Sequence, residues 1–372
     1  MIVKAILHQR WTLDVVFGFP GPFVERMASS DCATHVIPHR NWLRTPGLMR
    51  FAQNLLRENS AARNIEVFLR ESRPQLVYVN SLVSFAAVRA ANRLGIPVIW
   101  HIRELFSDEE GELYWPTKWS KSLIRRTVRK MATTIVVNSS TVCRNVLGSQ
   151  AGIVTVIPNA VPDNFFNLQE SKNEARQSLG LPLDGHIVGF PGTLRPVKGH
   201  QTFLDATSVI NAEQHDCHFV VTGAVQSEFA RGVVASAESS PVSEKIHFIG
   251  AVDDMSRFYR ACDVCCIASQ SESFGRTAVE AFASQTPLVS TTVGGLADII
   301  KDEKNALAIQ PGDSAALAHQ VIQILNDKRL AVNLTESAYA EARQKYTEQQ
   351  CSDAVIKLIR STAGFTRTLV AG

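Results

Sequence analysis

The stretch DVCCIASQSESFGRTAVEAFASQTPLVSTTVGGLADII, residues 263–300, decides the fold. Val264 to Ala268 is an apolar run of strand length, and Ser269 to Gly275 is small and polar. Arg276 to Ser284 then has helical spacing, with Ala278, Val279, Phe282 and Ala283 on one side. Pro287 to Ser290 is a second apolar run, and Gly294-Gly295 punctuates the turn after it. Strand, loop, helix and strand make a β-α-β unit. Its strands are parallel, so the loop lies at their carboxyl ends, where open α/β sheets bind ligands.

Glu272 and Glu280 flank the start of that helix, one in the loop and one about 1.5 turns in. Backbone N–H groups around Phe274, Gly275, Arg276 and Thr277, with Ser273 just before them, suit an anionic group such as a phosphate. Carboxylates beside a phosphate pocket suit hydroxyls. A sugar nucleotide offers both, a diphosphate for the amides and sugar hydroxyls for the acids. The plainer alternative makes Glu272 a solvated loop acid and Glu280 an outward helix residue, and E-x7-E alone does not choose between them. Glu280 sits among Val279, Ala281 and Phe282, so it must either find a partner or lie at the surface.

ESFGRTAVEAFASQTPLVSTTVGG resembles the E-x7-E donor-site segment of the retaining GT-B glycosyltransferases of family 4. The preceding KIHFIGAVDDMSRFYRACDV is similar to the strand, turn and helix that lead into that segment in the family, and the resemblance runs from about Val15 to Ile359. It implies an α/β GT-B fold, two facing Rossmann-like domains with doubly wound parallel sheets. Residues 1–162 would form an acceptor-binding domain and 163–347 a nucleotide-sugar-binding domain. Residues 348–372 would be a helix returning to the first domain.

At 372 residues the chain is long enough for two domains, and its apolar share of 45% is ordinary for an α/β protein. No apolar run reaches membrane-spanning length and no cleavable signal peptide opens the sequence, so a cytoplasmic protein is expected. The seven cysteines suit reduced core thiols. Cys262-x2-Cys265 lacks a second pair or a nearby His, so no metal site is expected. The net charge of +3 conceals an asymmetry: residues 1–150 hold 20 Lys and Arg against 11 Asp and Glu, the remainder 18 against 24. Arg40, Arg44 and Arg50 interleave with Trp42, Leu43, Leu48, Met49 and Phe51, and Lys121, Arg125, Arg126, Arg129 and Lys130 form a second basic cluster. Both suit an anionic membrane surface presenting a lipid-linked acceptor, or simply a solvated basic face. No nucleic-acid recognition module appears.

Residues 1–10 read as the end of a helix, and Thr12 to Phe17 as a strand followed by a turn into a helix. Laid on the family pattern, the first strand and its glycine-rich loop are absent, and the opening corresponds to the close of the first helix. Losing a central strand leaves neighbouring ladder groups unpaired. Either the true start lies upstream, or the acceptor domain is damaged, or Ile2 to Leu7 serves as a substitute strand.

Gln75 to Val79 and Pro97 to Trp100 are strands around the helix Ser84 to Leu94, and the second run leads into His101. In the family a strand-end histidine faces the donor sugar, so His101 is expected either to give a hydrogen bond there or to be a satisfied structural histidine. Glu110 to Pro116 reads as an exposed loop that could touch acceptor, and Thr134–Ser139 and Val154–Ala160 close the domain, with Ala160 where the family usually has glycine. Asp163 to Ser171 reads as the linker.

The second domain opens on the strand His186 to Phe190 and runs into PGTLRPVKG, residues 191–199, which resembles the family's G-R-L-x-P-x-K-G loop. There an Arg and a Lys hold the donor diphosphate. Lys198 matches, but Thr193 occupies the usual arginine position and Arg195 stands two residues later. Gly294-Gly295 is expected to give backbone room behind the sugar, Asp298 stands where the family more often has glutamate, and Gln285 replaces a common glycine.

The resemblance thus implies a hexosyltransferase using a UDP- or GDP-sugar, acting on a saccharide or lipid-linked acceptor with retention, in surface polysaccharide or glycolipid synthesis. No D-x-D sequence occurs, so no metal clamp and no cofactor is expected. The catalytic candidates are His101 and Glu272. The donor-binding candidates are Thr193, Arg195, Lys198, Ser273, Phe274, Gly275, Arg276, Thr277 and Glu280. Two rivals stand beside this reading, a sugar-nucleotide 2-epimerase on the same fold and a catalytically silent nucleotide-sugar-binding protein.

Overall fold

The structure is a computed structural model and describes residues 2–28, 31–39, 43, 48–106, 113, 120–148, 154–167 and 169–364. These fall into two compact units. One is drawn from Met1–Asp108, Glu112–Pro158 and Gln349–Gly372, the other from Asn159–Glu348. No helix among the described residues is long and apolar enough to cross a membrane.

The strands of the first unit are β1 (Asp14–Phe17), β2 (Ala33–Val36), β3 (Val77–Val79), β4 (Val98–Ile102), β5 (Thr134–Val137) and β6 (Val154–Val156). All pair in parallel, but in two separate sheets, β1-β2 and β3-β4-β5-β6. Among the described residues no ladder joins the two sheets. Ile2–His8 is helical, so it is no substitute strand.

The period of two along a strand sorts the core of this unit. Val98, Trp100, Ile102, Ile135 and Val137 enter one apolar cluster with the helices Leu48–Ser72 and Phe85–Arg93. Ile99 and Val136 enter the opposite one, with Ala5 and Ile6 of the first helix and Val355, Ile356 and Ile359 of the last, Glu348–Ala363. Burial of both faces explains why β4 reads VIWHI without polar alternation. Leu43, set among the basic and apolar residues near the start of the chain, is fully buried in the first cluster and faces no membrane; Arg40, Trp42 and Arg44 lie outside the described residues. The Glu110–Pro116 loop also lies outside them, except for Leu113.

The second unit holds β7 (His186–Phe190), β8 (Cys217–Val221), β9 (Ile246–Phe248), β10 (Val264–Ile267), β11 (Leu288–Thr291) and β12 (Leu307–Ile309). They form one parallel sheet in the order β12-β11-β10-β7-β8-β9. Ile187, Val220, Cys265 and Leu288 point to one cluster and Val188, Phe219, Cys266 and Val289 to the other, so helices cover both faces. Asp263 fixes the start of β10 against β7, accepting from Ile187 N at 2.7 Å and Arg176 Nη2 at 2.7 Å. Phe165 and Phe166, within the stretch read as a linker, are buried in this unit.

The organising β-α-β is present as read. Its helix, Arg276–Ala283, ends in a Schellman motif: Gln285 N donates to Phe282 O at 3.2 Å and Thr286 N to Ala281 O at 3.0 Å. The motif puts Gln285 at a φ of 54°, the left-handed region where a Cβ is penalised. Gln285→Gly is therefore expected to stabilise the protein by about 0.5–1 kcal/mol, after allowing for the extra freedom glycine gives the unfolded chain. A thermal melt should show a rise of about 2–4 °C per kcal/mol for a unit of this size.

Candidate functional site

The strand order fixes where a ligand can sit in the second unit. From β7 the chain moves through β8 to β9, then returns to the other side of β7 with β10. The topological switch lies between β7 and β10, and their carboxyl-end loops diverge there. Those loops are 191–199 and 268–275, the two stretches singled out by sequence.

The first loop leaves β7 through Gly192, whose N–H donates to Thr222 Oγ1 at 2.9 Å. Thr193 is exposed, and Arg195 is half-buried at the start of a single 3₁₀ turn, Pro196–Lys198. Gln270 N donates to Val197 O at 2.8 Å and ties this turn to the second loop. Lys198 Nζ meets Glu272 Oε2 at 2.5 Å, with the side chains 20% and 13% exposed. Glu272 is therefore no solvated loop acid. It is held against the cation that the sequence assigns to phosphate.

Gly294 and Gly295 pack against the loop that carries Glu272. Gly295 N donates to Glu272 O at 2.7 Å, and a Cβ on Gly294 would lie 2.0 Å from that same oxygen. The glycine pair packs backbone to backbone on residues 272–274, so its space is filled by the loop that carries Glu272. Asp298, beyond the pair, is exposed.

Gly275 caps the helix at a φ of 101° and Phe274 is buried beneath it, while Arg276 is exposed and Thr277 half-buried. The first-turn amides have no carbonyl below them in the helix and remain available to an anion. Glu280 points inward. Its Oε1 accepts from Arg276 Nε at 2.7 Å and its Oε2 from the Tyr259 hydroxyl at 3.0 Å. Burial raises the Glu280 pKa, opposed by the charge of Arg276 and by both hydrogen bonds. Tyr259 was missed in the sequence because an aromatic beside Phe258 on a short helix, Met255–Ala261, reads only as core.

His101 belongs to the first unit, next to last in β4 and buried. Its Nδ1 lies 2.7 Å from the Tyr78 hydroxyl, which the register places on the same sheet face one strand over. Among the described residues its Nε2 has no hydrogen-bond partner. Burial, with a further push from Arg103, lowers its pKa to about 3, so the ring is neutral at physiological pH. When Tyr78 donates to Nδ1, Nε2 carries the hydrogen. In the other tautomer Nε2 accepts. Half of this imidazole is satisfied structurally and the other half is chemically available. Glu104 steadies the end of β4, accepting from Leu82 N and Arg103 N, each at 3.0 Å.

The structure thus gathers Lys198, Glu272, residues 273–277 and Glu280 around one switch point, with Arg195 in the adjoining turn. His101 stands in the other unit.

Comparison with known proteins bears on the family and the fold. The family described as Glycosyl transferases group 1 matches residues 171–341, and the Glycosyl transferase 4-like domain matches residues 1–160. A D-inositol 3-phosphate glycosyltransferase of Corynebacterium urealyticum is 29% identical over 220 residues, 57% of this chain and 52% of that protein. The lipopolysaccharide core biosynthesis mannosyltransferase LpcC of Rhizobium leguminosarum is 29% identical over 217 residues, 58% of this chain and 61% of that one. The chain thus spans about half to three-fifths of the length of these relatives. Among solved structures, a glycosyltransferase from Rickettsia africae superposes with a TM-score of 0.80 at 16% identity, over 98% of this chain and 94% of that one. HepE of Anabaena, solved with UDP and glucose, gives 0.78 at 19% identity, over 94% and 91%. The solved neighbours share the GT-B fold, and with family models matching residues 1–160 and 171–341 the chain belongs to the group 1 glycosyltransferases of family 4.

Proposed function

We propose that this protein is a retaining, metal-independent hexosyltransferase that moves a hexose from a UDP- or GDP-sugar to a saccharide or lipid-linked acceptor in surface polysaccharide or glycolipid synthesis. The observation that carries this reading is the Lys198–Glu272 pair at the β7/β10 switch point, beside the amino end of the helix that holds Glu280. A diphosphate bound there is neutralised by Lys198, by Arg195 and by the first-turn amides of residues 275–277. Glu272, released from Lys198 when phosphate takes its place, orients the hexose. Glu280 accepts from the ribose hydroxyls. His101 gives a hydrogen bond to the reacting sugar in the transition state. The leaving diphosphate guides the acceptor onto the same face, so no protein nucleophile is required.

The relatives support the substrate class. Their names attach sugar transfer to an inositol phosphate and to a lipopolysaccharide core, and HepE was solved with UDP. A cytoplasmic protein lying at the inner membrane face suits such acceptors, and the cations of the first unit suit the anionic lipids there.

Incubation with labelled UDP- and GDP-hexoses, with and without a pool of saccharide and lipid-linked acceptors, tests the reading. A product formed only when acceptor is present, with the anomeric configuration of the donor, is expected. An altered sugar nucleotide formed without acceptor would identify an epimerase. Calorimetric binding of donor without any turnover would identify a silent binding protein.

A further inference from the structure

The helix Ser120–Met131 reads SKSLIRRTVRKM, a basic segment without a carboxylate. Ser120, Ile124 and Val128 recur every four residues and are buried, which fixes the face turned to the core. Ser122, Arg125, Arg126, Arg129 and Lys130 follow the same helical spacing on another face. With Leu147 and Gly148 they line a concavity of about 620 Å³ in the first unit.

The cations on this wall are not all alike. Arg125 Nε donates to Val146 O at 3.2 Å and its Nη2 to Asn145 O at 3.1 Å, while Arg129 Nη2 donates to Leu147 O. Those carbonyls lie at the end of the short π-helix Cys143–Leu147, so the two guanidinium groups cap it. Gly148, at a φ of 75°, lies against Arg125, and a Cβ there would come within 3.4 Å of the guanidinium carbon. Arg126 and Lys130 are exposed, and among the described residues neither makes a hydrogen bond or an ion pair. Arg125 and Arg129, and Arg126 and Lys130, are like charges at i,i+4, an arrangement that opposes the helix unless an anion lies between them. Attraction to an anionic surface needs only diffuse positive charge. A concavity lined by five residues of one basic helix, with the Arg125 guanidinium held by two hydrogen bonds and that of Arg129 by one, is organised in advance for a discrete group.

We propose that this concavity binds a phosphate-bearing ligand, at a site separate from the nucleotide-sugar loops of the second unit. Phosphate oxygens receive hydrogen bonds from Arg126, Lys130 and the Ser122 hydroxyl, against the positive wall of Arg125 and Arg129. The chemistry fits a soluble phosphorylated compound and the headgroup of a phospholipid equally.

The test uses the full chain with Lys198→Ala, which removes the proposed donor contact, and inorganic pyrophosphate as the probe. Calorimetry should show pyrophosphate binding. The added pair Arg126→Glu and Lys130→Glu should weaken it at least tenfold, with an unchanged thermal melt as the control for folding. The neutral pair Arg126→Gln and Lys130→Gln should lie in between. In the otherwise unaltered protein the same pairs should leave UDP binding unchanged, so a failure of the donor reading shows in UDP binding and a failure here in pyrophosphate binding. Cosedimentation with phosphatidylglycerol vesicles, displaced by pyrophosphate, would assign the site to a lipid headgroup. Pyrophosphate binding without vesicle binding would assign it to a soluble ligand. Absence of pyrophosphate binding, binding indifferent to charge reversal, or vesicle binding that pyrophosphate cannot displace would overturn the proposal.

Discussion

Replacing Lys198 by alanine should lower kcat/KM for transfer by about 100- to 1,000-fold, equivalent to about 3–4 kcal/mol. Two effects act in the same direction. A charge-assisted bond to phosphate, typically about 1.5–3 kcal/mol, is lost. In addition, Glu272 loses the ammonium group 2.5 Å away, and a half-buried carboxylate is left facing the place where a diphosphate must sit. Because the second effect is repulsion by Glu272, removing that charge should undo it. The double variant Lys198→Ala with Glu272→Gln should bind UDP about tenfold more tightly than Lys198→Ala alone, although it has one charged side chain fewer. UDP is the right probe, since it has no hexose and so does not read the sugar-orienting role of Glu272. Transfer that survives Lys198→Ala at full rate would end the phosphate assignment. A double variant no better than the single would end the proposed exchange of Lys198 between carboxylate and diphosphate.

The switch-point loops were legible because their signals are local. An apolar run, a polar loop and a helical repeat between glycines identify a β-α-β unit, and two such units in register locate the carboxyl end of a parallel sheet. Partners set by tertiary register were not. Tyr78 reaches His101 because Tyr78 pairs with Ile99 on the adjacent strand, and nothing in a run such as VYV indicates a hydroxyl with a buried partner. Tyr259 is hidden in the same way on its helix. The neighbour of Gly294-Gly295 was hidden for a related reason. A glycine pair shows that something approaches closely, and only the fold reveals that the neighbour is the backbone of residues 272–274. The Lys198–Glu272 pair joins two individually visible residues 74 positions apart, but their meeting depends on β7 and β10 being neighbours.

Glu280→Gln should weaken UDP binding by about 10- to 100-fold, the range expected when hydrogen bonds to a charged group are replaced by neutral ones, about 1.5–3 kcal/mol. The substitution keeps the volume, so the buried helix around it is not opened. It also removes a charge whose burial is already unfavourable, and folding stability should change by no more than about 1 kcal/mol. In the structure both oxygens are engaged, by Arg276 and by Tyr259. The two partners differ in how readily they can yield. The Tyr259 ring is fully buried, whereas the Arg276 side chain is 62% exposed beside a Glu280 side chain that is 6% exposed. A ribose hydroxyl would therefore approach from the arginine side and displace or share Oε1, while Tyr259 keeps Oε2 in place. Two companions make the result specific. A uridine nucleotide lacking both ribose hydroxyls should bind the unaltered protein as weakly as UDP binds Glu280→Gln, and should lose little further affinity in the variant. Tyr259→Phe should weaken UDP binding less than Glu280→Gln does, because it frees an oxygen without removing the charge. If the dideoxy nucleotide loses as much affinity as UDP in Glu280→Gln, the carboxylate supports the helix and does not read the ribose, and unchanged UDP affinity would remove it from the site altogether.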